Sequence, residues 1–326
     1  MTSEPAGAEP GLTLALVREA AARIGPHVNR TPILTSETLD ARAGASLFFK
    51  CESFQNVGAF KARGATNAVL LLSDDEAARG VVTHSSGNHA AALARAARIR
   101  GIAAHIVMPS NSPRAKVDSV RRYGGRIVFC EPTLEARETT AAAVMAETGG
   151  TFIHPYDDLR VMGGQGTVAL ELLDQVPDLD VVLCPVGGGG LLSGVATVTK
   201  ALRPGTSVVA VEPAEADDAA RSFRARRLIP LGSTTTIADG LRTSMSERTF
   251  AHMLRYVDDV VTVEEQAIVD GMRTIWEVLK IVVEPSGAVG YAPFVEEPGR
   301  FEGRRVGIVV TGGNLDLDRL PWSAGR

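Results

Sequence analysis

Residues 185–194 read PVGGGGLLSG, and this stretch decides the fold. Before it, VVLCPV (181–186) has the length and β-branched content of a buried strand, and the apolar stretch after it reads as a helix. Four consecutive glycines at such a turn leave backbone N–H groups unshielded at a helix N-terminus, where the dipole favours an anion, most often a phosphate. A bare flexible turn would spend roughly 0.5–1 kcal/mol of backbone entropy per glycine with nothing approaching it. A rival reading exists. Gly188-Gly189-Gly190-Leu191-Leu192-Ser193 nearly fits GxGxxG, and Glu212 ends a strand about 20 residues on, as the ribose-binding acid of an NAD(P)-dependent oxidoreductase would. Against it, serine stands at the last glycine position and the unit comes second along the chain.

Working outward, short β-branched runs alternate with helical stretches on both sides. VVTH (81–84), AAHIVMP (103–109), RIVFCEP (126–132) and TFIHP (151–155) form one series, and VVLCPV, VVAVEP (208–213), VVTVEE (260–265) and VGIVV (306–310) a second. Strands alternating with helices imply βαβ crossovers and parallel sheets. The expected fold is therefore α/β and two-lobed, each lobe an open, mostly parallel sheet with flanking helices. The rhythm assigns 12–79 and 158–326 to a large domain, 80–157 to a small domain inserted in it, and 1–11 to a disordered tail.

Composition narrows the partner. The chain has 326 residues, 45% of them hydrophobic, enough for one large core or two smaller ones. Lys+Arg at 34 nearly balance Asp+Glu at 38, and no basic run interleaved with aromatics marks a nucleic-acid surface, so a small molecule is expected. Cys51, Cys130 and Cys184 form no CxxC pair and close apolar runs, which suits buried thiols in a reducing compartment. The opening MTSEPAGAEPGL lacks signal-peptide features and no apolar run would cross a bilayer, giving a cytoplasmic expectation with no membrane partner.

Three further stretches carry chemistry. In SFQNVGAFKARGA (53–65), Lys61 sits among apolar and small residues, where an ammonium is costly to bury unless paired or chemically modified. THSSGNHAAALA (83–94) places small polar residues at a helix N-terminus, a cap or a carboxylate site. VVTGGNLDL (309–317) repeats strand then Gly-rich turn, so three such loops end strands where open α/β sheets bind ligands.

GAFKARGA with Lys61, SSGNH (85–89), the glycines 187–190, EPSGA (284–288) and TGGN (311–314), in this order, resemble the fold type II (tryptophan synthase β-like) pyridoxal-phosphate enzymes, in the serine/threonine dehydratase and serine racemase branch. The resemblance runs from about Ala15 to Leu317. It implies pyridoxal 5'-phosphate held on Lys61 as an imine, Phe60 against its ring, Asn88 on the ring hydroxyl, Gly187, Gly188, Gly189 and Gly190 on the phosphate, and Thr311 facing the pyridine nitrogen. A hydroxyl there, in place of a carboxylate, makes the ring a weaker electron sink and favours β-elimination. The implied activity is a dehydratase (ammonia-lyase) turning L-serine, L-threonine or L-threo-3-hydroxyaspartate into a 2-oxo acid and ammonia, with serine racemase as the alternative.

Within that branch, Ser86 matches a serine on the cofactor face opposite the lysine, making Lys61 and Ser86 a two-base pair. VEPAEADDAA (211–220) matches a metal site of Glu212, the Ala216 carbonyl and Asp218, suited to Mg²⁺, Ca²⁺ or Mn²⁺; the alternative is an acidic helix start. The resemblance puts the substrate on Ser85, Ser86, Asn88, His89, Arg137 and Thr243, with Arg137 matching a residue that meets a second carboxylate; on its own, Arg137 in the Glu-rich LEARE stretch reads as a surface i,i+4 partner. His154 reads as a strand-end histidine. Thr311 replaces a more usual serine, and Ser36-Glu37 stands where nucleotide-responsive racemases carry a serine pair, which speaks against ATP activation. The chain ends soon after TGGNLDL, so feedback inhibition through a regulatory domain is not expected. The family implies a homodimer.

Overall fold

The computed structural model describes residues 11–85, 87–112 and 114–322. The expected tail lies outside them except for Gly11. Ten strands build two sheets: β1 (Ile33–Leu34), β2 (Ser46–Cys51), β3 (Val81–His84), β4 (Ala104–Pro109), β5 (Arg126–Cys130), β6 (Thr151–Phe152), β7 (Val181–Pro185), β8 (Ser207–Pro213), β9 (Asp259–Val263) and β10 (Arg305–Val310). The larger sheet runs β1-β2-β10-β7-β8-β9 and the smaller β5-β4-β3-β6. Only β1 is antiparallel to its neighbour. β7 and β10 lie at the centre and are almost wholly buried, as continuous apolar runs under helices on both faces must be.

Both series of expected strands form, in two separate sheets. β1 and β2 were not foreseen. SLFFKC offers a lysine and a serine in six residues, and its pairing with β10 from Arg305↔Ser46 to Val310↔Cys51 is decided by a partner 259 positions away. Lys50 survives there because its ammonium is fully hydrogen-bonded, as described below.

Three helices are locked backbone to backbone, and they place the site. The helix Lys61–Leu70 lies on Leu159–Gln175, which lies on Gly190–Leu202. A Cβ on Gly64 would stand 2.7 Å from the Val161 carbonyl, one on Gly164 2.6 Å from the Arg63 carbonyl, and one on Gly194 2.5 Å from the Gly166 nitrogen. Side chains between these helices would push Lys61 away from the glycine loop. Among the described residues no helix is long and apolar enough to cross a membrane.

Candidate active site

The loops that follow β3, β7 and β10 meet at one cavity of ≈ 510 Å³ between the sheets. The expected convergence holds with one refinement: the strand ends belong to two sheets facing each other, so the cleft has a wall from each. Phe60, Lys61, Ser85, Asn88, His89, Arg137, Gly187, Gly188, Gly189, Gly190, Thr243 and Thr311 all line it. Ser86 lies outside the described residues.

Lys61 opens its helix directly after Phe60, which supplies no side-chain cap. Its Nζ donates to the Pro155 carbonyl at 2.8 Å and stands 5.1 Å from the Phe60 ring centre. Among the described residues no carboxylate pairs with it. Burial therefore pulls its pKa down to about 8, so a sizeable neutral, nucleophilic fraction exists near neutrality.

The four glycines form a cradle that tolerates no side chain. Gly189 has φ +83° and starts the helix Gly190–Leu202. A Cβ on Gly188 would stand 2.4 Å from the Tyr156 ring, one on Gly190 2.8 Å from the Tyr156 carbonyl, and one on Gly187 2.9 Å from the Leu241 backbone. A loop of bare amides at a buried helix N-terminus suits a phosphate. The dinucleotide reading fails on Glu212, which is not in the cleft lining and turns to the backbone amides of Ala219 and Ala220 at 3.2 and 2.5 Å.

Asn88, at the first turn of the helix Asn88–Arg100, donates from Nδ2 to Glu284 Oε1 at 2.8 Å and accepts at Oδ1 from Asn314 Nδ2 at 2.9 Å. Thr311 Oγ1 donates to the Ser286 carbonyl at 3.2 Å, and the Thr311 carbonyl accepts from the Phe60 amide at 3.0 Å. Three separate motifs, GAFK, EPSGA and TGGN, are thus tied around one end of the cleft.

Facing them are the expected substrate contacts. Ser85 Oγ accepts from the Gly87 amide at 3.3 Å. His89 Nε2 donates to the Ile153 carbonyl at 3.2 Å, its Nδ1 is buried without a partner, and burial drops its pKa to about 3, so the ring is neutral. Thr243 Oγ1 is 3.1 Å from the Tyr156 hydroxyl. Arg137 is not spent on a helix ion pair: among the described residues its guanidinium meets only the Thr133 carbonyl, at 3.4 Å, and it faces the cleft near His84. His154, the expected strand-end histidine, also lines the cleft, neutral with its pKa down at about 4 through burial.

The profile described as "Pyridoxal-phosphate dependent enzyme" matches residues 24–312. The chain belongs to this family. A beta-hydroxyaspartate dehydratase of Paracoccus denitrificans is 54% identical over 92% of this chain and 96% of its own length. A serine racemase of Oryza sativa is 51% identical over 94% of this chain and 92% of its own. The structure of maize serine racemase superposes with a TM-score of 0.93 at 48% identity, covering 96% of this chain and 97% of that one. The resident cofactor is pyridoxal phosphate, and the residues present fit it: a desolvated amine, a cradle in which any Cβ would collide, and donors unspent at the cleft wall.

The residues expected to hold a metal, Glu212, Ala216 and Asp218, do not line the cleft of this pyridoxal-phosphate enzyme. Glu212 and Asp218 are 1% and 2% exposed, with the turn Ala214–Ala216 between them. Asp218 Oδ2 has no hydrogen-bond partner, and among the described residues no cation forms an ion pair with either. Burial pushes Glu212 up to about 8 and Asp218 to about 6. Two desolvated carboxylates, one with an orphaned oxygen, are the donor set a hard divalent cation wants. No cluster of three His, Cys, Asp or Glu side chains able to hold a metal exists among the described residues, so such a site depends on these two and backbone oxygen.

Four residues of the cleft carry no role in the sequence reading. Glu284 was quoted within EPSGA without a role, although a carboxylate after the apolar IVV gives the same signal as Lys61. Tyr156, which fills the space over Gly188, carries no motif. Lys116 and Asp239 form an ion pair from the small-sheet side to the large-sheet side of the cleft, and only tertiary structure brings them together.

Proposed function

We propose that this chain is a lyase that eliminates water and then ammonia from a small β-hydroxy amino acid, with L-threo-3-hydroxyaspartate preferred over L-serine and L-threonine. The observation that carries it is Arg137, a guanidinium without a carboxylate partner among the described residues, lining the same cleft as the Lys61 amine. A substrate with a second carboxylate would satisfy it; serine and threonine would leave it unpaired. The 54% identity to a beta-hydroxyaspartate dehydratase supports the same substrate class.

Each residue then has a task. The Ser85–His89 loop receives the α-carboxylate on its hydroxyl and on N–H groups at the start of the helix Asn88–Arg100. Phe60, Asn88, Thr311 and Gly187, Gly188, Gly189 and Gly190 hold and orient the cofactor. Bound there, pyridoxal phosphate supplies the electron sink for a developing Cα carbanion. The Lys61 amine takes the Cα proton. The Cβ–O bond breaks, and the proton taken at Cα and the departing hydroxide together make the water that is lost. The free enamine hydrolyses to a 2-oxo acid and ammonia. Burial holds the pKa of His89 down at about 3 and that of His154 at about 4, so both are weaker bases than Lys61 in the described cleft.

A divalent cation on Glu212, the Ala216 carbonyl and Asp218 would relieve two strained carboxylates. Exposed Val282 lies against the Gly313 turn, as does Ser53, the residue before exposed Phe54, and with exposed Leu317 shortly after the turn they offer an apolar face for a homodimer. Racemisation is the second reading, favoured by the 51% identity to a serine racemase and dependent on Ser86 as a second base.

The test is a parallel assay of the Mg²⁺-loaded holoenzyme on L-threo-3-hydroxyaspartate, L-serine, D-serine and L-threonine, scoring 2-oxo acid and the opposite enantiomer. The fastest 2-oxo acid is expected from hydroxyaspartate, with Arg137→Ala erasing that preference. Accumulation of D-serine from L-serine in excess of pyruvate would replace the lyase reading with the racemase.

A further inference from the structure

Glu284 is a carboxylate lining the cleft that neither the chemistry above nor an ion pair among the described residues uses. It is 4% exposed and precedes the short helix Pro285–Ala288. Its amide donates to the Gly312 carbonyl at 3.1 Å, and a Cβ on Gly312 would stand 2.6 Å from its Oε1, so the TGGN turn is folded directly over it.

A chain of amides runs from there into the cleft. Asn314 Nδ2 donates one hydrogen to the Val57 carbonyl at 2.6 Å and the other to Asn88 Oδ1 at 2.9 Å. That use of both hydrogens fixes which way the Asn88 amide faces, because a flip would set two NH₂ groups against each other. Asn88 Nδ2 then donates one hydrogen to Glu284 Oε1 and keeps its second for the cleft. Without an acceptor at the Glu284 position, that second hydrogen has no fixed direction.

Burial and Asp239 disfavour a carboxylate anion at Glu284, and together they outweigh Lys116 and the N–H donors of Asn88 and Asn314, which favour it. Asp239 lies near it on the turn Asp239–Leu241, and Lys116, from the helix Arg114–Arg122, is already paired with Asp239. From the Asn88–Arg100 helix and the TGGN turn its carboxyl group accepts from the Asn88 amide and the Asn314 backbone N–H. Burial first, and Asp239 second, push its pKa up to about 8, consistent with a group that folds protonated.

We propose that Glu284 is a positioning residue that holds Asn88 toward the cofactor, and that it does so as an uncharged carboxylic acid. The inference rests on the cofactor assignment and is independent of which amino acid is the substrate.

Two measurements on the full chain test it. The first is a double-mutant cycle on pyridoxal-phosphate affinity with Asn88→Ala, Glu284→Ala and the pair. Glu284→Ala alone is expected to weaken binding about fivefold to tenfold, the worth of one hydrogen bond to a buried group, and to add less than about twofold once Asn88 is gone. Losses that simply multiply would overturn the positioning role, because a structural lesion elsewhere does not depend on Asn88. The second is an infrared pH titration of wild-type minus Glu284→Gln, an isosteric change that keeps the fold. A protonated-carboxyl C=O band at pH 7 that disappears as pH rises through about 8 is expected. A carboxylate signal at pH 7 would overturn the uncharged state. Failure of the wild-type chain to bind pyridoxal phosphate at all would be a failure of the cofactor assignment instead.

Discussion

Two groups of buried charge, centred on Arg63 and on Lys61 two positions before it, behave in opposite ways. Around Arg63, itself 0% exposed, every charge has a partner: Nε and Nη2 donate to Glu52 at 2.7 and 2.8 Å, and Nη1 and Nη2 to Glu171 at 2.7 and 2.9 Å. Lys50 Nζ joins through Glu171 at 2.6 Å, the Thr31 carbonyl and Gln175. Burial alone would depress the Arg63 pKa, yet Glu52 and Glu171 hold it above its ordinary value; burial would raise that of Glu171, yet Arg63 and Lys50 hold it below. In the cleft and outside it, Lys61, Glu284, Glu212 and Asp218 have no such partners and titrate far from their usual range. The first group holds β2 and two helices in register. The second is left uncompensated, which is what a nucleophile, a proton-bearing acid or a cation site requires.

That contrast can be broken at its sharpest point with Lys61→Ala. The variant is expected to lose about 10²–10⁴-fold in 2-oxo acid formation with an unchanged circular dichroism spectrum; activity within a few-fold of wild type would return Lys61 to the structural group. Arg63→Met should do the reverse. Stranding Glu52 and Glu171 is expected to cost about 3–5 kcal/mol, read as a lower denaturant midpoint, and a midpoint unchanged would show that the saturated cluster contributes nothing. Between them, Gly188→Ala asks whether the cradle is as tight as the Tyr156 contact implies. A methyl 2.4 Å from that ring should weaken pyridoxal-phosphate binding about tenfold through an overpacking cost of roughly 1–3 kcal/mol, and Tyr156→Ala in the same chain should restore part of it.

The smallest expected effect concerns pH and metal. Glu212 and Asp218 have folded-state pKa values raised to about 8 and about 6, so over that range the folded state binds protons the unfolded state has released. Their stabilisation is present below the ordinary carboxylate range and is lost as pH rises through those values. In EDTA the melting temperature should fall by about 5 °C between pH 6 and pH 8, and Mg²⁺ should remove most of that slope by stabilising the ionised forms. An identical slope with and without Mg²⁺ would mean that no cation binds there.

Much of this was legible because the relevant signals are local. A strand, four glycines and a helix announce an anion cradle within ten residues, and Lys61 stands out because an amine among Ala, Phe and Gly has no surface role. Glu284 gives the same kind of signal, but a lone acid before Pro-Ser-Gly-Ala reads as a helix start until its neighbours are known. β2 was not legible because its lysine is tolerable only once Glu171 and Gln175, on a distant helix, close over it.

By itself the sequence determined the α/β alternation, the three loops that end strands and the residue types offered to a cofactor. Hydrophobic period, glycine conformation and capping chemistry act over a few residues and leave their mark there. Tertiary structure alone decided that the loops belong to two sheets facing one cleft, that Glu284 and Asn314 aim Asn88, and which buried charges are paired. Those outcomes depend on Coulomb and desolvation terms between groups tens to hundreds of positions apart. Whether a buried charge is structural or chemical is therefore set by what folds against it.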